Sequence, residues 1–211
     1  MFPARLFLVR HGQTASNVSQ ILRGPASADD PLDEMGEMQA RAVAARLAAL
    51  GLTSPRVYAS PYLRARQTGQ TIADALGVPL TVLEGVQEIN PGDWVGRPYG
   101  DLRTHGHTLL HPTGGFGFPG GESLGEVAAR FRAALPAHPD PTIIVSHGAA
   151  LTAVLAALLG VDHREAWTGG QFAHANTALT ELAWDGEAWR ALRLADASHL
   201  APEEVAVEAE R

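Results

Sequence analysis

The chain has 211 residues, 45% of them hydrophobic, and sets 16 basic side chains against 23 acidic ones for a formal charge of -7. This composition fits a protein with a packed core and disfavours a nucleic-acid surface or an anionic membrane as partner. Every basic residue is arginine and there is no cysteine, which excludes lysine Schiff bases, the lysine of nucleotide phosphate loops, thiol nucleophiles, thiolate metal sites and disulfides.

A cysteine-free chain is at home in a reducing compartment, so a cytoplasmic location is expected. The apolar run ending at Val9 is too brief for the apolar region of a signal peptide, and the run Ala149 to Leu159 is too short to span a membrane. In chain order, Leu6 to Val9 reads as a buried strand. Gly36 to Leu50 reads as an amphipathic helix with Ala42, Val43, Leu47 and Leu50 on one stripe, and Arg56 to Ala59 as a second strand. Pro61 is placed in the first turn of a helix that Gly77 and Pro79 stop near Leu76, and Leu80 to Leu83 is a short edge strand. Ser123 with Glu126 forms a capping box for a helix toward Leu135. Thr142 to Ser146 is a central strand followed by a helix from about Ala149 to Leu159. Thr177 to Trp184 and Trp189 to Leu194 form a hairpin around Asp185-Gly186.

Apolar strands alternating with amphipathic helices predict an α/β fold, a three-layer αβα sandwich around a mostly parallel sheet. No linker divides residues 1–195, which are expected to form a single domain. Within it, the Gly- and Pro-rich stretch from about 90 to 121, with Trp94, Tyr99, Phe116 and Phe118, is a lid-like insertion. Residues 196–211 hold Asp196, Glu203, Glu204, Glu208 and Glu210 against Arg211 and read as an acidic tail.

Two strands end alike, Val9-Arg10-His11-Gly12 and Val145-Ser146-His147-Gly148. In a parallel sheet both imidazoles then stand at carboxyl ends of strands, where open α/β folds keep their ligands. The strand ending at Ser60-Pro61 leads into a helix that brings Arg64 to the same edge. Arg10 and Arg64 offer two planar guanidinium forks above two imidazoles, which suits a tetrahedral oxyanion, and phosphate is the natural ligand.

The run Leu8-Val9-Arg10-His11-Gly12-Gln13-Thr14 with Asn17 resembles the signature of the histidine phosphatase superfamily in its phosphoglycerate mutase-like branch. Further blocks match in order: Gly24 with Asp30-Pro31-Leu32, Gly36 through Gln39-Ala40, and Ser60 through Ala65 with Thr68. Glu88 with Gly92, Trp94 and Gly96, then Gly121-Glu122-Ser123, Ser146-His147-Gly148 and Asn176-Thr177, complete a resemblance over nearly the whole chain. The resemblance implies a phosphoglycerate mutase-like fold and a phosphohistidine formed on His11. Arg10, Arg64 and His147 would surround the transferring phosphoryl group, Asn17 would add a donor, and Glu88 would act as general acid and base. No metal and no cofactor is implied. The sequence departs from the family pattern at Arg23, where glutamine is commoner, and at Val95, where an acid is; Arg23 and Gly24 are possible contacts to the substrate.

The expected activity is metal-independent hydrolysis of small phosphomonoesters, with a small phosphorylated metabolite as partner and neither nucleic acid nor membrane. A phosphoglycerate mutase, which returns the phosphate to another hydroxyl, is the alternative. It is disfavoured because Arg97 and Arg103 are the only fixed positive charges of the 90–121 segment. Three other readings have less behind them: a serine esterase using Ser123 in Gly-x-Ser-x-Gly, a metal on His11, His147 and Glu88, and a phosphate-binding protein without turnover. His105, His107 and His111 read as a solvated loop. An edge strand or the hairpin leaves room for a homodimer.

Overall fold

A computed structural model of the protein describes residues 2–112 and 114–204, and within these the side chains of Arg103, His107 and Glu203 are not described. One six-stranded sheet organises them. It is formed by β1 (Arg5–Arg10), β2 (Arg56–Ala59), β3 (Leu80–Val82), β4 (Thr142–Ser146), β5 (Leu179–Trp184) and β6 (Trp189–Asp196) in the order β3-β2-β4-β1-β5-β6. The pairs β2–β3, β2–β4 and β1–β4 are parallel, whereas β5 and β6 return antiparallel as the expected hairpin.

The two faces of the sheet follow from the period-two alternation of aliphatic residues. Leu6 and Leu8 of β1 and Ile144 of β4 point to the core made with α5 (Leu124–Ala134) and α6 (Gly148–Leu159). Phe7, Val9, Ile143 and Val145 point the other way, to α2 (Glu34–Ala48) and α3 (Leu63–Leu76). This is the three-layer arrangement, with β4 and β1 buried on both sides. Shorter helices α1 (Ala15–Ser19), α4 (Gly100–His105) and α7 (His163–Gly169) fill the edge at which the parallel strands end or pack beside it.

Several local readings are corrected. Helix α3 begins at Leu63 with Tyr62 as its N-cap, so Pro61 precedes the helix instead of occupying its first turn. On α2 the buried stripe is Gln39, Ala40, Val43, Ala44 and Leu47; Ala42 and Leu50 are only half-buried. Asp196 closes β6, and the residues after it pack back on the body: Leu200 is buried and Gln39 Nε2 donates to the Glu204 carbonyl. The first half of the acidic segment is therefore not a detached tail, and residues 205–211 lie outside the described residues.

The segment between 90 and 121 is held by its aromatics. Trp94, Phe116 and Phe118 are all buried, with Phe118 edge-on to both Trp94 and Trp167. His111, expected to be solvated, is instead buried beside the Gly121 carbonyl, with 3.2 Å from its Nε2 to that oxygen. Glycine is required where this segment closes on itself, because a Cβ on Gly92 would lie 2.2 Å from the Gly121 nitrogen.

Candidate active site

The parallel register sets the site. Val9 stands opposite Val145 and Arg10 opposite Ser146, while Ala59 of β2 also faces Val145, so the three strands finish level. The His11 N–H donates to the Ser146 carbonyl at 3.0 Å and the Ser60 N–H to the Val145 carbonyl at 2.9 Å, which carries the ladder one residue past the strands. His11, Ser60 and His147 thus stand side by side with their main chains already bonded.

The turn after His11 is locked against the start of α2. A Cβ on Gly12 would fall 2.4 Å from the Gly36 carbonyl oxygen, and one on Gly36 would fall 2.1 Å from that of Gln13, so neither glycine can be replaced without moving backbone. Around this contact Gly12 N–H donates to Thr68 Oγ1, Gln13 N–H to Gln39 Oε1, and Asp33 N–H to the Gln13 carbonyl. On the far side Asn176 Nδ2 donates to the His11 carbonyl at 2.9 Å. The His11 loop is thereby tied to α2, α3 and the segment before β5.

The hydrogen bonds fix the imidazole states. A carbonyl can only accept, so His11 Nδ1 carries the proton it donates to Gly12 O at 2.7 Å. The lone pair is then on Nε2, which accepts from Arg64 Nε at 3.0 Å. His147 is arranged the other way round: Arg64 Nη2 lies 3.3 Å from its Nδ1, and its Nε2 is 2.8 Å from Ser60 Oγ. Both rings are buried, 5.1 Å apart between centroids. Burial first, and then the nearby guanidinium of Arg64, hold both well below the usual histidine pKa, so both are neutral imidazoles near pH 7.

Arg64 is anchored by Nη1 on the Ser27 carbonyl at 2.6 Å and lies over the Tyr62 ring; Arg10 is anchored by Nη1 on the His174 carbonyl at 2.7 Å. Asn17 Oδ1 is spent on the Thr14 N–H, the Thr14 hydroxyl and Asn176 Nδ2, which leaves Nδ2 as its donor toward the cleft that it lines. Glu88 caps α6, whose own N-cap residue His147 makes no side-chain cap: Oε1 accepts from Ile89 N and Ala150 N at 2.9 Å, and Oε2 has only a 3.3 Å contact to Ala149 N. Arg130 of α5 clamps the chain carrying Glu88, donating to the carbonyls of Gly85 and Gln87 at 2.8 Å and to Glu122.

The structure thus brings Arg10, His11, Asn17, Arg64 and Glu88 to the wall of one cleft, with His147 directly behind Arg64. Arg23 and Gly24 line its rim, Arg23 exposed and 4.0 Å from Asp30, Gly24 buried against Pro91. Glu84 is exposed and paired with Gln87, away from the cleft lining. Ser123 is the N-cap of α5 with its hydroxyl on Glu126, outside the cleft lining, so it is not the nucleophile of a strand-to-helix elbow. A cation on His11, His147 and Glu88 would have to displace a guanidinium that donates to both rings and break the α6 cap.

Sequence reasoning missed the residues that hold these groups: Ser27, Ser60, Gln39, Arg130 and the His174 carbonyl. Ser60 and Gln39 lay inside quoted motifs and could have been read as braces. Arg130 follows Glu122 by eight residues, and Glu122 precedes the N-cap of α5, so no local spacing rule marks the pair. Nothing local marks a backbone carbonyl at position 27 or 174.

A model of the histidine phosphatase superfamily (branch 1) matches residues 6–197. Over 167 residues the chain is 37% identical to a "probable phosphoglycerate mutase" of Yersinia enterocolitica, covering 74% of this chain and 75% of that protein. The fold is similar to that of a mycobacterial glucosyl-3-phosphoglycerate phosphatase at 28% identity and TM-score 0.74, over 90% of this chain and 98% of that one. It is also similar to the fold of a phosphoserine phosphatase from Entamoeba histolytica at 24% identity and TM-score 0.77, over 93% and 99%. With a family match over nearly its whole length and two histidines, two arginines and a carboxylate gathered where the motifs predicted, the chain belongs to the histidine phosphatase superfamily.

Proposed function

We propose that the protein is a metal-independent phosphatase that hydrolyses small phosphomonoesters through a phosphohistidine on His11. The observation that carries this reading is the orientation of His11, whose Nδ1–H is fixed on its own loop while the Nε2 lone pair faces Arg64 in the cleft. In the first step that lone pair attacks phosphorus and the ester P–O bond breaks. Glu88 gives its carboxyl proton to the departing oxygen, and Oε2, the less engaged oxygen, is the one placed to carry it. In the second step water attacks the phosphohistidine, Glu88 takes the water proton, the P–N bond breaks and inorganic phosphate leaves. Arg10, Arg64 and Asn17 bind the equatorial oxygens.

Phosphate entry displaces Arg64 from both imidazoles. The dianion then opposes the burial and the Arg64 charge that keep His147 neutral, and His147 takes up a proton on Nδ1 to become a third cationic donor. The substrate is a small phosphorylated metabolite, and a cytoplasmic location agrees with the cysteine-free sequence and with the absence, among the described residues, of any helix able to cross a membrane.

The mutase reading is favoured by the name of the Yersinia relative. Against it, the described cleft wall offers one cation, Arg23, beyond Arg10 and Arg64. The deciding experiment is phosphate release from a panel of phosphomonoesters, with and without EDTA, by the native protein and by His11→Ala, together with alkali-stable, acid-labile phosphorylation of the protein. EDTA-resistant hydrolysis that His11→Ala abolishes supports the phosphatase. Interconversion of 2- and 3-phosphoglycerate without hydrolysis replaces it with the mutase, and EDTA-sensitive activity with a metal enzyme.

A further inference from the structure

Beyond the phosphate end, the cleft changes character. Its remaining wall includes Leu22, Tyr99, Leu102 and Trp167, all half-buried, beside Ser16 and Arg23 at the rim and over a buried floor that includes Ile89 and Phe118. Half-buried apolar side chains around a concave site are the surface that a ligand, and not the core, remains free to cover. Among the described residues, Arg23 is the arginine that lines the cleft beyond Arg10 and Arg64. Arg23 is exposed at the rim, 4.0 Å from Asp30, whose carboxylate also accepts from the Ser16 hydroxyl, so a negative charge stands beside it. Arg97 lies over the Trp94 ring at 4.7 Å and does not line the cleft.

A carboxylated or doubly phosphorylated substrate would thus set its second anion against leucine, tyrosine and tryptophan. An aromatic ring attached to the phosphate through one or two bonds reaches the same wall and buries apolar area on both partners, with Trp167 and Tyr99 able to meet it edge-on or offset. We infer that the protein selects phosphomonoesters of ring-bearing, uncharged alcohols over phosphorylated hydroxy acids. This names the substrate class of the phosphatase proposed above and rests on that reading for turnover; recognition by the wall is measurable without it.

Phosphonates separate the two, because their P–C bond is not cleaved. By calorimetry at pH 7.5, benzylphosphonate is expected to bind about tenfold more tightly than methylphosphonate, the gain for partly covering one ring. Phosphonoacetate, which carries a carboxylate, is expected to bind no more tightly than methylphosphonate. Leu102→Arg places a cation on the wall and should cut the benzyl preference severalfold while raising phosphonoacetate affinity. Leu22→Ser should cut the benzyl preference alone, and retained binding of methylphosphonate, unchanged in Leu22→Ser and no weaker in Leu102→Arg, reports that each variant is folded. Phosphonoacetate as the tightest ligand of the native protein, or equal affinity for the benzyl and methyl compounds, overturns the inference. If the expected ranking holds but no ring-bearing phosphomonoester is hydrolysed, the wall's preference stands and the phosphatase reading falls.

Discussion

At one end of the cleft His11, Ser60 and His147 stand on three hydrogen-bonded parallel strands whose register sets their spacing. At the other end Tyr99, Leu102, Phe118 and Trp167 come from turns and short helices outside the sheet. The first group is polar, buried and bonded to backbone on every side; the second is apolar and holds its place by ring packing. A polar network fails when one partner is lost, because the others are left buried and unpaired, whereas an apolar wall loses contact area in proportion to what is removed. Substitutions at the phosphate end should therefore abolish activity, and substitutions in the wall should retune it.

The largest effect expected is that of His11→Ala. Without the nucleophile no covalent intermediate forms, and kcat should fall by about 10⁴-fold or more. Arg10 and Arg64 remain, so inorganic phosphate should still bind, and calorimetry on the variant checks this. Next is Arg64→Leu, which removes the donor lying between both imidazoles and should lower kcat/KM by about 10²–10³-fold. Arg64→Lys should recover little of it, because one ammonium cannot reach His11, His147 and the Ser27 carbonyl together. Equal losses from Arg64→Leu and Leu102→Ala would break the contrast between the two ends.

Backbone contacts come third. Gly36→Ala forces a methyl onto the Gln13 carbonyl and should destabilise the fold by about 1–3 kcal/mol, read as a lower midpoint in urea, with a fall in kcat as the His11 loop shifts. Leu102→Ala, at a half-buried position, should cost roughly 1 kcal/mol or less and leave kcat for a small substrate nearly intact.

The same contrast explains what could be read from the residues alone. Strands with a two-residue period, histidines at their ends and Arg64 in the first turn of the next helix are local patterns, and they pointed to the sheet edge at which these side chains meet. Glu88 was legible as an acid beside the tryptophan motif, but its capping of α6 was not, since it joins residues 62 positions apart. Of the wall, Tyr99, Leu102 and Phe118 fell inside the lid-like stretch, whereas Leu22 and Trp167 lie outside it and carried no signal. Trp94, Phe116 and Phe118 look alike in sequence, yet Phe118 lines the cleft and the other two only pack beneath it. Which face a turn residue presents is decided by distant packing, and the burial of His111, expected in solvent, has the same origin.

The dependence of stability on pH leaves activity at neutral pH untouched, and its sign follows from burial. In the unfolded chain His11 and His147 titrate near the ordinary value of 6.5, whereas in the folded protein both are depressed well below it, chiefly by desolvation and then by Arg64. Between those values the unfolded state binds more protons, so stability rises with pH there. The contribution is complete above the unfolded value and is lost as pH falls from about 6.5 toward the folded values. Each histidine adds a slope of up to about 1.4 kcal/mol per pH unit in that window. Urea unfolding between pH 5 and 8 should show the slope, and His147→Asn should reduce it by one proton's worth while Leu102→Ala leaves it unchanged. Inorganic phosphate should act in the opposite direction on His147: binding at pH 7.5 should take up close to one proton, read from calorimetry in buffers of different ionisation enthalpy, and the uptake should vanish in His147→Asn. Uptake that persists in this variant would assign the proton to the bound phosphate and leave His147 a neutral neighbour of the site.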